Sequence, residues 1–122
     1  MEPPEVLRRG AEAFNRGDFF EAHEIWEDAW AEESGQVRLF YQGIIQVAVG
    51  CCHVQRGNRT GAIHLMGRGV DKLAEVPDAY LGMDLGGFRT ASAAALARIR
   101  DLDDDAMAAF PASAYPLVRW SA

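Results

Sequence analysis

The segment Leu39 to Cys52, LFYQGIIQVAVGCC, constrains this chain more than any other. On a helix, where successive residues advance by about 100°, Phe40, Tyr41, Ile44, Ile45, Val47, Ala48, Val49, Cys51, Cys52 and Val54 cover nearly the whole circumference. A helix that is apolar all round has to be buried. The run contains Gln42 and Gln46 and is shorter than the roughly 20 residues that span a bilayer. It therefore reads as the core helix of a folded domain, with the rest of the chain wrapped around it. With 122 residues, 49% of them apolar and 25% charged, the chain suffices for one such core. At this size neither disulfides nor a structural metal is needed for folding.

The flanking segments supply the wrapping. Pro3 and Pro4 suit a helix start, and Val6, Leu7, Ala11 and Phe14 recur at helical spacing. A first helix is predicted over 3–15. Asp18, followed three residues later by Glu21, suggests an aspartate-type capping box opening a second helix over 18–33, which Ser34 and Gly35 end. The central helix is predicted over 36–56, about 30 Å long, and Asn58 stands ready to cap a fourth over 59–75. Ala62, Ile63, Met66, Val70 and Leu73 give that helix one apolar stripe. A turn-rich run from Pro77 to Gly87 precedes a fifth helix over 85–102, and residues 110–122 read as an irregular tail. No segment alternates convincingly as a strand, and no repeat recurs. The expected fold is all-α: one domain over 1–122, a single antiparallel bundle of about five helices around a buried central helix.

A net charge of -6 and a pI near 4.9, with basic residues scattered among acidic ones, argue against nucleic acid as a partner. No membrane contact is expected either. Met1 to Phe14 reads as an amphipathic helix rather than a cationic stretch before an apolar signal core, so the expected location is cytoplasmic. The adjacent Cys51 and Cys52 diverge on a helix and suit buried thiols rather than a disulfide.

The informative residues are the polar ones on this apolar scaffold. Gln42, Gln46 and His53 fall within about 40° of one another on the central helix, beside Gly43 and Gly50. On the second helix Phe19, His23, Trp26 and Trp30 share a face, with Glu27 one turn after His23 and Glu24 pointing further out. If the two faces pack together, His23, Glu27, Gln42, Gln46 and His53 meet in one buried pocket walled by tryptophans.

Two readings of that pocket follow. In one it binds a divalent metal, zinc, manganese or iron, through His23, Glu27 and His53, or holds a small molecule. Trp30, Gln42 and Gln46 would then contact the ligand, and Glu24 or Glu27 would act as a base. The signature is HEIWE, a glutamate standing where the second histidine of HExxH belongs. In the other reading the polar stripe is a structural network in the core of a helical interaction module or homodimer. His64 is expected to be solvated, Gly67 and Gly69 to allow close helix packing, and Asp103 to Asp105 to form a solvated helix end.

Two motifs resemble a known family. One is NRGDFFEAHEIWEDAW from Asn15 to Trp30; the other is FYQGIIQVAVGCCHVQRGNRTGA from Phe40 to Ala62. Both are similar to an uncharacterised group of small prokaryotic helical proteins known as domain of unknown function three hundred and nine. A weaker echo, LGMD at Leu81 to Asp84, extends the similarity to about residue 100. The resemblance implies an all-helical fold and a shared polar site. It brings no activity with it, and the tail after Phe110 has no counterpart in the family.

Overall fold

Two glycine turns set the hairpins of the bundle. Gly17 and Gly57 follow helices and adopt φ of 90° and 73°, a left-handed conformation that only glycine takes without a Cβ penalty. The computed structural model describes residues 1–121. It contains α1 (Glu5–Asn15), α2 (Phe19–Glu32), α3 (Gly35–Gln55), α4 (Arg59–Leu73) and α5 (Leu85–Asp101). Between α4 and α5 lies a small antiparallel ribbon of β1 (Ala79–Tyr80) and β2 (Met83–Asp84). Short 3-10 helices at Asp104–Ala109 and Ala112–Ala114 follow α5.

The all-α expectation holds. Each helix packs on its neighbour in sequence, and α3 lies between α2 and α4. The row closes on itself where Phe14 of α1 meets Phe88 of α5, ring centroids 5.5 Å apart. Arg59 at the start of α4 donates from Nε to Leu102 O at 2.6 Å and from Nη2 to Arg100 O at 2.9 Å, tying it to the end of α5. Arg89 of α5 donates in turn to Leu73 O at the end of α4 and to Val76 O and Asp78 Oδ1 beyond it. Both arginines satisfy carbonyls that helix ends leave unpaired.

α3 runs for 21 residues and is long and apolar enough to cross a membrane by length and composition alone. Its packing between α2 and α4 is that of a core helix. Phe40, Ile44, Val47, Ala48 and Cys51 are fully buried, together with Leu7, Trp26, Met66, Leu73 and Ile99. Cys52 is also buried, and neither cysteine is in a disulfide. Burial raises the pKa of both thiols, most strongly that of Cys51.

Some sequence expectations need correction. Asp18 does not cap α2 with its side chain; Arg16 draws its carboxylate away at 2.6 Å and holds Glu21 at 2.6 Å as well. The capping box is lost to an ion pair. Asn58 does cap α4, accepting from Gly61 N at 2.9 Å, and Asp84 caps α5 through Gly87 N at 2.9 Å. The turn-rich run carries the β1–β2 ribbon, where no strand was expected. The tail is ordered by docking: Trp120 bridges to Met83, and Tyr115 stacks on Phe19 at 4.9 Å. Ala122, the last residue of the predicted irregular stretch, lies outside the described residues.

One core position has a direct consequence for stability. Ser92 of α5 faces the interior of the bundle at 0% exposure, and its Oγ has no hydrogen-bond partner among the described residues. A buried hydroxyl without a partner is a net cost, and alanine is the better helix former. Ser92→Ala should raise unfolding stability by about 1 kcal/mol in urea titration. A loss of stability would mean that the hydroxyl is satisfied.

Candidate functional site

The orientation of α3 within the bundle is set by its glycines. A Cβ at Gly50 would lie 2.2 Å from Met66 Cγ, one at Gly43 would lie 2.6 Å from Leu73 Cδ2, and one at Gly69 would lie 2.7 Å from Gly43 O. The three glycines let the α3 and α4 backbones approach closely, as expected for Gly69. Gly67, its companion in the sequence reading, meets nothing nearer than Leu96 at 4.0 Å.

This contact places the polar stripe. Gln42, Gln46 and His53 lie beside the glycines on the α3 wheel, so turning the glycines into α4 carries the stripe to the α4 edge. Gln46 Oε1 accepts from Lys72 Nζ of α4 at 2.9 Å. His53 packs on Gly61, and its Nδ1 lies 3.2 Å from Asn58 Nδ2. The amide nitrogen can only donate, so Nδ1 is the acceptor in this contact. Leu39, Gln42, Gln46, Val49 and His53 are all half-buried.

His23 belongs to another environment. Its Nδ1 donates to Phe20 O, its ring packs edge-on against Phe20 at 4.8 Å, and its Nε2 lies 3.7 Å from Glu27 Oε1. All three contacts are within α2. Glu27 is exposed, as is Glu24. Trp30 is half-buried, with the Arg38 guanidinium 4.0 Å from its ring centroid, an ordinary cation–π distance. Its indole Nε1 is buried without a hydrogen-bond partner among the described residues.

The single buried pocket expected from the sequence therefore resolves into separate pieces. His23 pairs with Glu27, Gln46 with Lys72, His53 with Asn58, and Trp30 with Arg38. Among the described residues no group of three or more His, Cys, Asp or Glu side chains is placed to hold a metal ion. The two-donor pair at His23 and Glu27 falls short of the three or four protein ligands that zinc sites use. His64 is exposed, as expected.

Sequence reasoning missed Lys72 and Arg38, the partners of Gln46 and Trp30. A wheel of α4 places Lys72 on the same edge as Gly61 and Leu65, but which α4 edge meets α3 depends on the glycine contact. What the arrangement offers chemically is a mixed face. Its line of apolar and amide side chains runs along α3, a helix without a single carboxylate.

The chain matches the family described as "Domain of unknown function (DUF309)" over residues 7–65. It is 30% identical over 86 residues to an uncharacterized protein of Aquifex aeolicus, a match covering 70% of this chain and 26% of that protein. It is 39% identical over 72 residues to the uncharacterized protein YpuF of Bacillus subtilis, covering 57% of this chain and 41% of the relative. The chain thus spans well under half the length of either.

Proposed function

We propose a role read from geometry: a cytoplasmic helical interaction module that pairs with a second copy of itself through the half-open face of α3, the family matched over residues 7–65 being one of unknown function. The observation that carries it is that the most apolar helix of the bundle keeps Leu39, Gln42, Gln46, Val49 and His53 only half-buried along one line.

Charge directs a second copy to α3. The molecule carries a net charge of -6, so two copies repel over most of their surface. α2 is the worst place for approach, with Glu21, Glu24, Glu27, Asp28 and Glu32. α3 carries no acidic residue, so two acidic molecules can meet there without opposing carboxylates from that helix. A two-fold contact places the same patch on both sides, so its groups must complement themselves. Glutamine amides do so, each offering both donor and acceptor. The longer relatives fit a unit that occurs as one part of larger proteins.

His23 and Glu27, as two donors, do not carry the metal reading. Sedimentation equilibrium tests the proposal. Wild type should be dimeric at micromolar concentration. Val49→Asp places a carboxylate at the same spot on both copies and should weaken association at least ~100-fold, since burying an unpaired charge costs several kcal/mol. A wild type that remains monomeric at about 100 µM, a concentration that detects even weak association, would sink the proposal.

A further inference from the structure

The half-open face of α3 has flanks of opposite charge. On one side the Arg38 guanidinium of α3 lies over the Trp30 ring, so the edge of α2 that carries Trp30 borders the face. Glu27 stands on that edge, one turn before Trp30. It is exposed and has His23 Nε2 as its neighbour at 3.7 Å, and α2 has no lysine or arginine to offset its carboxylates. On the other side Lys72 of α4 donates to Gln46, and Gly61 packs on His53. Arg68 is exposed on the same edge of α4, one turn before Lys72. Asp71, the one carboxylate of α4, lies about 90° further round.

The two flanks also match in height. Both α2 and α4 run antiparallel to α3: Gln55 meets Gly17 and Arg38 meets Trp30 on one side, while His53 meets Gly61 and Gly43 meets Leu73 on the other. Glu27 is therefore level with Gln42 of α3 and Lys72 with Gln46, about 6 Å apart along the helix. A two-fold pair built on α3 can take two senses. With the axis along the helices they run parallel, and the α2 flank of each copy lies against the α4 flank of the other. With the axis across the helices they run antiparallel, and α2 faces α2 while α4 faces α4.

We propose that the second copy seats with its α3 parallel to the first, Glu27 of each copy lying against Lys72 and Arg68 of the other. This orientation rests on the pairing through α3 and fixes what that pairing leaves open, namely which surfaces of the two copies meet. In the parallel pair each face residue meets its own counterpart, Gln42 on Gln42 and Val49 on Val49, and glutamine amides complement one another as donor and acceptor. The antiparallel pair would set the carboxylates of two α2 helices against each other and the cations of two α4 helices likewise, the juxtaposition that disfavours a wrong arrangement.

Cysteine crosslinking reads the sense directly. Gln42 and His53 lie about 16 Å apart along α3, well beyond the Cα separation of about 6 Å that a disulfide spans. Under mild oxidation, Gln42→Cys and His53→Cys should each crosslink to itself, and their equimolar mixture should give no product joining positions 42 and 53. Wild type, with Cys51 and Cys52 buried, is the uncrosslinked control. A product joining 42 to 53, or self-crosslinking at only one position, overturns the parallel sense and leaves pairing through α3 intact. A chain that sediments as a monomer, or a dimer that crosslinks nowhere, overturns both. Charge reversal gives a second readout that needs no new thiol. Glu27→Lys should weaken association about tenfold, because both symmetric contacts become like-charged, and adding Lys72→Glu should restore it. In an antiparallel pair Glu27→Lys would relieve repulsion between the α2 helices, so unchanged or tighter association also overturns the proposal.

Discussion

Trp26→Ala should cost about 4 kcal/mol of stability, within the range for emptying a fully buried indole site, and should leave the chain close to unfolded at physiological temperature. Trp26 is 0% exposed, tilts against Phe14 with centroids 5.8 Å apart, and donates from Nε1 to Leu7 O at 3.3 Å. The ring lies directly on Gly10, where a Cβ would come within 2.0 Å of Nε1. Indole and glycine are thus two halves of one fit between α1 and α2. Urea denaturation of single and double variants tests this directly. Gly10→Ala should be severely damaging in the wild type and much less so in the Trp26→Ala background, where the space is free. Equal costs in both backgrounds would show that the two positions do not share the site.

The second large effect is expected at the α3–α4 contact. Gly69→Ala should destabilise by about 2 kcal/mol, the overpacking cost less what alanine returns as a better helix former. The added Cβ would meet Gly43 O at 2.7 Å, Val47 Cγ2 at 2.8 Å and Val47 N at 3.0 Å. Two of those atoms are backbone and cannot swing aside, so the helices must separate. Gly67→Ala, two residues away, where a Cβ would only touch Leu96 Cδ2 at 4.0 Å, should instead stabilise by up to about 1 kcal/mol. Opposite signs for two glycines of one helix are read from the same denaturation midpoints. If Gly69→Ala is neutral, the close approach of the helices is not what holds the polar stripe at the α4 edge.

That contact explains why the candidate site was only half legible. The stripe of Gln42, Gln46 and His53 was visible in the sequence, because helical periodicity alone places three residues on one line. Its neighbour was not. The tryptophan-rich face of α2 looked the natural cover, since unpaired polar groups need partners and His23 and Glu27 were available. The glycines turned the stripe toward α4, where Lys72 and Asn58 provide the hydrogen bonds. His23 settled on Phe20 O and Glu27, within its own helix.

Local signals succeeded or failed for similarly local reasons. Asn58 caps α4 as its position suggested. Asp18 does not cap α2, because Arg16, two residues away, offers a charged partner that outweighs a backbone amide. Asn15 read only as the end of a helix. Its role in seating Val118 depends on a residue 103 positions away, a distance no periodicity encodes.

Determined by the sequence alone were the all-α class, the helix that had to be central and the residues that had to be inside. These follow from spacing and apolar content, both properties of a chain read a few turns at a time. Left to the tertiary structure were the partners of each polar group, the docking of the tail, and the dispersal of one expected pocket into four pairs. The physical reason is that a glycine contact between helices, set by backbone approach at Gly43, Gly50 and Gly69, fixes the rotation of α3. Rotation decides which side chain meets which, and it is a property of two packed helices, not of either one.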